Sequence, residues 1–182
     1  VVDYAHKFYA KVHVTINTIL SDDELEQARE LIQKLYEIGV DAIIVQDTGL
    51  LQLAVEGKLP PIPVHASTQC DNRTLEKVKF FENIGISRVI LARELSLEEI
   101  RNICANTNVE IETFIHGALC VSYSGQCYMS YAIGGRSANR GECAQACRKK
   151  YTLVDSEGNI IAKDRYLLSL KDFNASRHIE EL

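Results

Sequence analysis

Short apolar segments alternate with amphipathic segments along the first 115 residues. The apolar segments are rich in β-branched side chains, which is typical of strands buried on both faces. They are KVHVTIN (11–17), DAIIV (41–45), IPVHA (62–66), SRVILA (87–92) and VEIETFI (109–115). Strands joined by helices make right-handed crossovers, and a series of such crossovers builds a parallel sheet. The pattern therefore predicts an α/β fold.

The intervening segments carry the signals of helices. Residues 22–38 place four apolar side chains at helical spacing: Leu25, Ala28, Ile32 and Leu35. Ser21 with Glu24, and Ser96 with Glu99, match the S-x-x-E pattern of a capping box, which marks a helix start. We therefore expect capped helices that begin near residues 22 and 97.

Two glycines and two isolated cysteines complete this half of the chain. Gly39 and Gly85 stand where the helices should end, at positions that favour a left-handed backbone. Cys104 lies on the apolar face of the helix that begins after Ser96, so we expect it in the core. Cys70 lies in the polar loop after the third predicted strand, where both a core role and a reactive role are open.

Two architectures satisfy the repeated crossovers: a TIM-type (β/α)8 barrel and an open, doubly wound sheet. No G-x-G-x-x-G motif follows the first strand, which argues against a dinucleotide-binding sheet. In a barrel, the residues that follow the strands form the active face. Those positions here are Asn17, Gln46, Asp47, His65, Ser67, Thr68, Gln69, Arg93, Glu94, His116 and Gly117. The barrel thus makes the sharper prediction, although both architectures stay open on the pattern alone and polar residues at such positions can also simply begin loops.

The pattern changes after residue 115. We divide the chain into three parts: the (β/α) repeats of 1–115, a Cys-rich segment of 116–150 at the carboxyl face, and 151–182. The last part holds a predicted β-hairpin, YTLVD (151–155) with IIA (160–162), and one more predicted strand, YLLSL (166–170). A full TIM barrel takes about 250 residues. If the sheet belongs to a barrel, we therefore expect an incomplete one, with the Cys-rich segment inserted after its fifth strand.

Composition places the chain among ordinary globular proteins, with a net charge of -5 and 46% hydrophobic residues. No apolar run is long enough to span a membrane, and the first residues lack the layout of a signal peptide, so we expect a cytoplasmic protein. The charge is uneven, because residues 116–151 hold five basic residues against a single acid. Such a patch suits a phosphate-bearing partner such as RNA, although small basic patches are also found on solvated loops.

Four cysteines lie close together in the sequence: Cys120, Cys127, Cys143 and Cys147. In a reducing compartment such clustering favours metal binding over disulfides. Zinc prefers tight C-x2-4-C pairs, which the second pair matches and the first does not. An iron-sulfur cluster accepts wider spacing and favours loops rich in backbone N–H donors. Zinc, a cluster, and disulfides or free thiols all stay open on spacing alone.

A nucleophilic cysteine is the remaining thiol chemistry. His116 lies four residues before Cys120, and a histidine can hold a cysteine as its thiolate. Sequence neighbours seldom form such a pair, because the base usually comes from elsewhere in the chain. The hydrolase motifs G-x-S-x-G and H-E-x-x-H are absent. The residues alone therefore give little support to hydrolysis.

The cysteine segment closely resembles a known family signature. FIHGALCVSYSGQCYMS and GRSANRGECAQACRKKY are similar to the signature of the collagenase-like peptidase family U32, and HASTQ and VILARELSLEEI resemble its flanking motifs. The resemblance covers nearly the whole chain and implies a barrel fold. The family name implies proteolysis. The better-understood members resemble oxygen-independent hydroxylases of tRNA, rRNA or ubiquinone, which hold a 4Fe-4S cluster and take prephenate as hydroxyl source.

The resemblance also implies a set of cluster ligands. Carried onto this sequence, it places three of them at Cys120, Cys127 and Cys143. Some members use a cysteine in a later KDLC stretch, where this chain has Asn174. The fourth ligand is therefore either Cys147 or absent. With the resemblance, a 4Fe-4S cluster becomes the leading interpretation and zinc the alternative.

The expected site also contains polar residues outside the cysteines. The candidates for proton transfer are His65, Glu94 and His116. The candidates for binding substrate, including anionic groups of prephenate or RNA, are Gln69, Arg93, Arg136 and Arg140. The tyrosines that could stack on a base are Tyr123, Tyr128 and Tyr131.

The leading hypothesis is therefore an iron-sulfur enzyme that hydroxylates RNA. A collagenase-like peptidase acting on peptides is the first alternative, with Cys120 or an unrecognised metal as its active group. A non-catalytic accessory or RNA-binding protein is the second alternative, in which Asn174 marks a lost cluster.

Overall fold

The computed structural model describes residues 1–182. Its centre is a five-stranded parallel sheet whose strands lie side by side in sequence order. They are β1 (His13–Ile16), β2 (Ala42–Val45), β3 (Val64–Ala66), β4 (Arg88–Ile90) and β5 (Glu110–Glu112). All five predicted strands are confirmed, and with them the α/β fold.

Helices precede β1 and connect each strand to the next. They are α1 (Val2–His6), α2 (Asp22–Glu37), α3 (Thr48–Val55), α4 (Leu75–Asn83) and α5 (Leu97–Ala105). Both predicted capping boxes are present, Ser21 with Glu24 at the start of α2 and Ser96 with Glu99 at the start of α5. The reciprocal hydrogen bonds satisfy backbone N–H groups that a helix start leaves without partners.

Glycine ends both α2 and α4, as the sequence predicts. Gly39 and Gly85 have φ angles of +80° and +85°, a left-handed conformation that side chains with a Cβ disfavour. The next residues, Val40 and Ile86, donate their N–H groups back to the helix at the carbonyls of Leu35 and Phe81. This Schellman-type turn sets the direction in which the following strand begins.

The helix-facing side of the sheet carries the hydrophobic core. Ile43, Val45, Ala66 and Val89 project from neighbouring strands and are at most 1% exposed. Right-handed crossovers between strands in sequence order place the connecting helices on one face of the sheet. The buried residues of those helices include Ile32, Leu50, Val78 and Ile103, which join the same cluster. The carboxyl ends of the strands consequently meet at one edge.

Two predictions from the sequence are wrong, one about the burial of Cys104 and one about a strand at 166–170. Cys104 is exposed, because the buried stripe of α5 passes through Ile103 rather than through its neighbour. Residues 166–170 form no strand. That apolar run has no neighbouring strand with which to pair, and the short strand β9 (Phe173–Asn174) follows it.

The second half of the chain holds only small elements. Strand β6 (His116–Gly117) pairs antiparallel with β9, which places Asn174 opposite His116. The predicted hairpin is confirmed as β7 (Tyr151–Val154) paired with β8 (Ile160–Arg165), and α6 (Met129–Gly134) lies between these parts. The five parallel strands form an open sheet, so the closed barrel stays a prediction. No helix is both long and apolar enough to cross a membrane.

The other face of the sheet is polar. His65 projects from β3, is 5% exposed, and packs edge-on against His13 with ring centroids 4.8 Å apart. Arg88 lies beside it on β4 and forms ion pairs with Glu110 and Glu112 on β5. Burial, together with the positive charges of Arg88 and His13, lowers the pKa of His65 to about 4, although both glutamates oppose the shift. His65 is therefore neutral at pH 7.

We predict that His65 makes the fold sensitive to acid between about pH 4 and pH 6.5. The unfolded chain binds a proton at His65 near its ordinary pKa of about 6.5, whereas the folded protein binds it near 4. The unfolded state thus holds more protons in this window, so the contribution of His65 to the free energy of unfolding is fully present above about pH 6.5. It falls as the pH drops, by at most about 3 kcal/mol.

Urea unfolding at pH 7 and at pH 4.5 measures this effect. The wild-type protein should lose more free energy of unfolding on acidification than a His65→Gln variant does. His178→Gln, which changes an exposed histidine, is the control and should behave like wild type. Equal losses in wild type and His65→Gln would contradict the assignment.

Candidate functional site

The carboxyl edge of the sheet holds the candidate site, because the loops after β3 and β4 meet the Cys-rich segment there. Glu94 accepts hydrogen bonds from the Ser124 backbone N–H (2.8 Å) and hydroxyl (3.0 Å). Gly125 has a φ of +73°, and a Cβ there would overlap the carbonyl oxygen of Gln69. Residues 124 and 125 are therefore fixed against two strand-end loops, and position 125 accepts only glycine.

A cavity of about 190 Å³ opens at this edge, with Arg93 and His116 in its wall and Phe114 and Phe173 as apolar lining. Arg93 donates hydrogen bonds to a backbone carbonyl (3.4 Å) and to Cys120 Sγ (3.1 Å). Its guanidinium carbon lies 5.7 Å from the centroid of the Phe114 ring. Its Nε is buried and has no hydrogen-bond partner. The cavity therefore combines a partly unsatisfied cation with aromatic surface.

A larger hollow of about 480 Å³ lies at the opposite edge of the sheet. It is lined by residues that precede β3 and β4, including 60–63 and 84–87, and none of its side chains is ionisable. Acid-base and metal chemistry both need ionisable groups. The ionisable side chains Arg93 and His116 therefore lie at the cavity of the carboxyl edge and not at this larger hollow.

Arg148 connects three separate parts of the chain. Its guanidinium donates hydrogen bonds to the carbonyl of Leu119 (2.7 Å), the carbonyl of Leu170 (2.7 Å) and the hydroxyl of Ser169 (2.8 Å). Leu119 directly precedes Cys120 and Arg148 directly follows Cys147. This one side chain therefore holds the first and last cysteine of the segment near each other.

Ser130 makes a second clamp inside the segment. Its hydroxyl accepts a hydrogen bond from the Ala144 N–H (3.0 Å) and lies 3.9 Å from Cys143 Sγ. Ser130 is 2% exposed, whereas Cys143 is exposed. Ser130 ties the start of α6, just after Cys127, to the second cysteine pair.

The four clustered cysteines are free thiols, with Cys120 and Cys143 exposed and Cys127 and Cys147 half-buried. In this arrangement no three cysteine, histidine, aspartate or glutamate side chains lie close enough to hold a metal ion. The donor set has the right chemistry for an iron-sulfur cluster or for zinc, but its geometry does not fit either one. No chemical step can be assigned to a metal from this geometry.

The three residues predicted for proton transfer do not converge. His65 lies on the polar face of the sheet, Glu94 is held by Ser124, and His116 lies in the wall of the cavity. The structure therefore brings only His116 together with Arg93. Histidine is also not the partner of Cys120, whose sulfur contacts Arg93 instead.

The predicted anion-binding arginines have different surroundings. Arg140 binds the Glu24 carboxylate (2.5 and 3.0 Å) and the carbonyl of Ile19 (2.7 Å), which ties the Cys-rich segment to the start of α2. Arg136 is exposed and forms no ion pair. The structure thus gives Arg140 a protein partner and leaves Arg93 and Arg136 better placed for external anions.

Sequence reasoning missed a cluster in the loop after β3. Asp71 is 6% exposed and forms ion pairs with Arg73 and with Lys77 (2.7 Å). Burial raises the pKa of Asp71, but hydrogen bonds from both cations outweigh burial and the net pKa is lowered. The Arg73 guanidinium lies 3.7 Å above the centroid of the Tyr123 ring. One sequence signal could have found this cluster: its loop directly follows Gln69, a predicted site residue.

The surroundings of Cys70 disfavour a reactive role for its thiol. Its Sγ lies 3.6 Å from the Val45 carbonyl and 3.8 Å from the Gln46 carbonyl. Burial raises its pKa to about 12. Gln69, predicted to bind substrate, lines the same cavity of about 320 Å³ as Cys70 and Gln126. That cavity offers amide groups but no activated nucleophile.

We predict that Cys70 reacts with a thiol reagent at least about 100-fold more slowly than Cys104 at pH 8, because only the thiolate reacts. The measurement is the rate of disulfide exchange with a chromogenic reagent, in reduced, metal-free protein. A Cys104→Ser variant should lose a fast phase and a Cys70→Ser variant should not. A fast phase lost in Cys70→Ser would show an activated thiol, and unfolding in denaturant should expose all six cysteines.

Several characterised proteins are similar to this chain. The 23S rRNA 5-hydroxycytidine C2501 synthase of Escherichia coli is 55% identical over 181 residues, which cover 100% of this chain and 27% of that protein. The tRNA hydroxylation protein P of Escherichia coli is 40% identical, with coverage of 89% and 37%. A collagenase from Porphyromonas gingivalis is 34% identical, with coverage of 94% and 44%. The chain therefore spans less than half the length of these relatives.

A solved structure of a U32 peptidase has the same fold. Its TM-score is 0.55 at 22% sequence identity, over 64% of this chain and 50% of that one. The model of peptidase family U32 matches residues 1–182. The match includes both the parallel sheet and the Cys-rich segment that lies on its carboxyl edge. The chain belongs to peptidase family U32.

Proposed function

We propose that the protein hydroxylates a base of tRNA or rRNA without molecular oxygen. The observation that carries this proposal is the 55% identity, along all of this chain, to an rRNA 5-hydroxycytidine synthase. Proteins named for tRNA hydroxylation support it at 36 to 40% identity. We propose the cytoplasm as the location, because RNA and unlinked thiols both belong there.

The reaction requires a second substrate. Replacing a ring hydrogen by a hydroxyl group removes two electrons from the base, so other reactants must supply the oxygen and take up the electrons. We propose prephenate as the hydroxyl source, as the family resemblance implies. Prephenate releases its hydroxyl at the oxidation level of water, together with CO2 and phenylpyruvate, so the reaction also needs a separate two-electron acceptor. Arg93 is the proposed carboxylate-binding residue, because it lines a cavity that aromatic side chains also line. A carboxylate bound there would form a charge-assisted hydrogen bond with the guanidinium.

Among the candidates for proton transfer, we propose His116. It shares the cavity with Arg93, so a carboxylate bound there lies within its reach. His65 is buried on the sheet and neutral at pH 7. Glu94 positions the Cys-rich segment through Ser124. The last two residues therefore support the site rather than carry protons in it.

We also propose that Cys120, Cys127, Cys143 and Cys147 gather around a 4Fe-4S cluster, with zinc as the alternative. All four are free, and the clamps at Arg148 and Ser130 hold their segments together. No three of these thiols lie close enough together to hold a metal ion, so binding a cluster requires the Cys-rich segment to rearrange.

We further propose that the sheet belongs to a TIM-type barrel, because strands in sequence order leave β1 and β5 open for further strands.

We predict that protein purified without oxygen adds one oxygen atom to a base of RNA when prephenate and a two-electron acceptor are supplied. Mass spectrometry of nucleosides after nuclease digestion detects the product. Cys120→Ser should abolish the product and Cys104→Ser, at an exposed cysteine outside the segment, should keep it. Arg93→Gln should raise the KM for prephenate at least about 10-fold with a smaller change in kcat, because a charge-assisted hydrogen bond is lost.

Unmodified RNA in all these reactions would overturn the hydroxylase proposal. Incubation of the same proteins with denatured collagen tests the second candidate, a peptidase, which the collagenase relative favours. Cleavage that disappears in Cys120→Ser would identify a thiol peptidase. Binding of RNA without modification of either substrate would identify an accessory protein.

We predict equal amounts of iron and acid-labile sulfide in the anaerobic protein, and visible absorbance typical of a cluster. Cys147→Ser should strongly reduce both, whereas Cys104→Ser should not. Asn174 lies opposite His116 in the β6–β9 pair, so Asn174→Cys in the Cys147→Ser background should restore iron. Zinc without sulfide would establish the alternative metal, and full iron content in Cys147→Ser would exclude that cysteine as the fourth ligand.

A further inference from the structure

Tyr123 presents one face of its ring to the protein and the other to solvent. The guanidinium of Arg73 lies 3.7 Å from the ring centroid, within the range of a strong cation–π contact. The residue is nevertheless 57% exposed. Because one face is covered by Arg73, the exposed area includes the opposite face. An aromatic ring in this situation can accept a second flat group from outside.

The covering cation is itself fixed. Arg73 is ion-paired with Asp71, whose side chain is 8% exposed, and Lys77 binds the same carboxylate at 2.7 Å. Asp71 adopts a left-handed backbone with a φ of +60°, which turns the loop so that its carboxylate meets both cations. The half-buried ion pair with Asp71 therefore restrains the Arg73 side chain where it contacts Tyr123.

The backbone of Tyr123 is fixed from the other side. The next residue, Ser124, is 2% exposed and donates two hydrogen bonds to Glu94. Gly125 then packs directly on the carbonyl of Gln69. The ring is thus held at the carboxyl edge of the sheet before any ligand arrives. A partner that stacks on it meets little further loss of side-chain entropy.

The other exposed tyrosines of the segment lack this support. Tyr128 and Tyr131 are each 64% exposed, and neither has a cation against its ring. Tyr166 has Lys150 at 5.5 Å, but Lys150 contacts only an exposed aspartate. Tyr123 alone combines a fixed backbone, a fixed cation on one face and an open second face.

We propose that Tyr123 is the stacking platform for an unpaired RNA base at the carboxyl edge of the sheet. This inference rests on the proposed function, since it names how that substrate is held. Bases of single-stranded RNA stack on aromatic side chains, and each stack contributes about 1–3 kcal/mol. The charge of Arg73 draws electron density from the ring, which favours stacking against an electron-rich base. This stacking contact involves the base and not the phosphate groups of the RNA.

The test measures binding of a fluorescently labelled, unstructured RNA oligonucleotide to the full chain by anisotropy. Tyr123→Ala should weaken binding about 10- to 100-fold, and Tyr123→Phe should stay within about 3-fold of wild type because it keeps the ring. Arg73→Gln should weaken binding by an intermediate amount. Tyr4→Ala is the control, because Tyr4 is also exposed, at 68%, but lies on α1, which contacts the opposite edge of the sheet.

Salt dependence supplies a readout that a general loss of structure would not reproduce. The slope of log affinity against log salt concentration should be the same for wild type and Tyr123→Ala, because stacking releases no counterions. Ultraviolet cross-linking of wild type to the oligonucleotide should modify Tyr123, as read by mass spectrometry of peptides. Circular dichroism and thermal melting confirm that each variant is folded.

The two levels of proposal fail differently. If wild type binds RNA and Tyr123→Ala binds equally well, with no cross-link at Tyr123, the stacking platform is wrong and the RNA function survives. If wild type binds no RNA at all, the proposed function fails and the platform fails with it. If Tyr123→Ala does not fold, the comparison of Tyr123→Phe with Arg73→Gln and the cross-link decide the question.

Discussion

Right-handed crossovers between neighbouring parallel strands are the constraint on which the rest of the molecule depends. With strands in sequence order, they place every connecting helix on one face and every strand end at one edge. Two loops therefore meet at this edge. The loop after β3 carries Gln69 and Arg73, and the loop after β4 carries Arg93 and Glu94. The buried aliphatic side chains of β2, β3 and β4 fix this meeting point, because they cannot shift without opening the core.

The Cys-rich segment depends on that edge because it has no core of its own. Its buried residues are few and small: Ser124, Ser130, Asn139 and Ala146. Its position is set by polar contacts to the sheet and helices, above all Glu94 with Ser124 and Arg140 with Glu24. Polar contacts of this kind, and solvent-exposed ion pairs above all, contribute far less than the packing of the sheet. The segment should therefore open locally while the sheet stays folded. Such local opening would allow its four cysteines to move closer together.

The sequence predicted what is set locally and failed where distant residues decide. The five strands, both capping boxes and the glycine helix ends follow from short-range patterns, and all are confirmed. The strand predicted at 166–170 is wrong because strand formation needs a partner that the run does not have. Cys104 was misplaced because neighbouring positions on a helix differ little in pattern. The contact of Arg73 with Tyr123 joins residues far apart in sequence, and no local pattern marks it.

Arg93 lies between the proposed thiol site and the proposed anion site. A sulfur atom accepts an N–H hydrogen bond as a thiol, as a thiolate or as a metal-bound thiolate, so the contact from Arg93 to Cys120 is compatible with each. Hydrogen bonds to cluster sulfurs also raise reduction potentials. The same guanidinium retains an unpartnered Nε beside the aromatic cavity. An anion bound there would offset the positive charge that Cys120 experiences. Lysine could not replace this residue, because a single ammonium lacks the planar fork that reaches both sites at once.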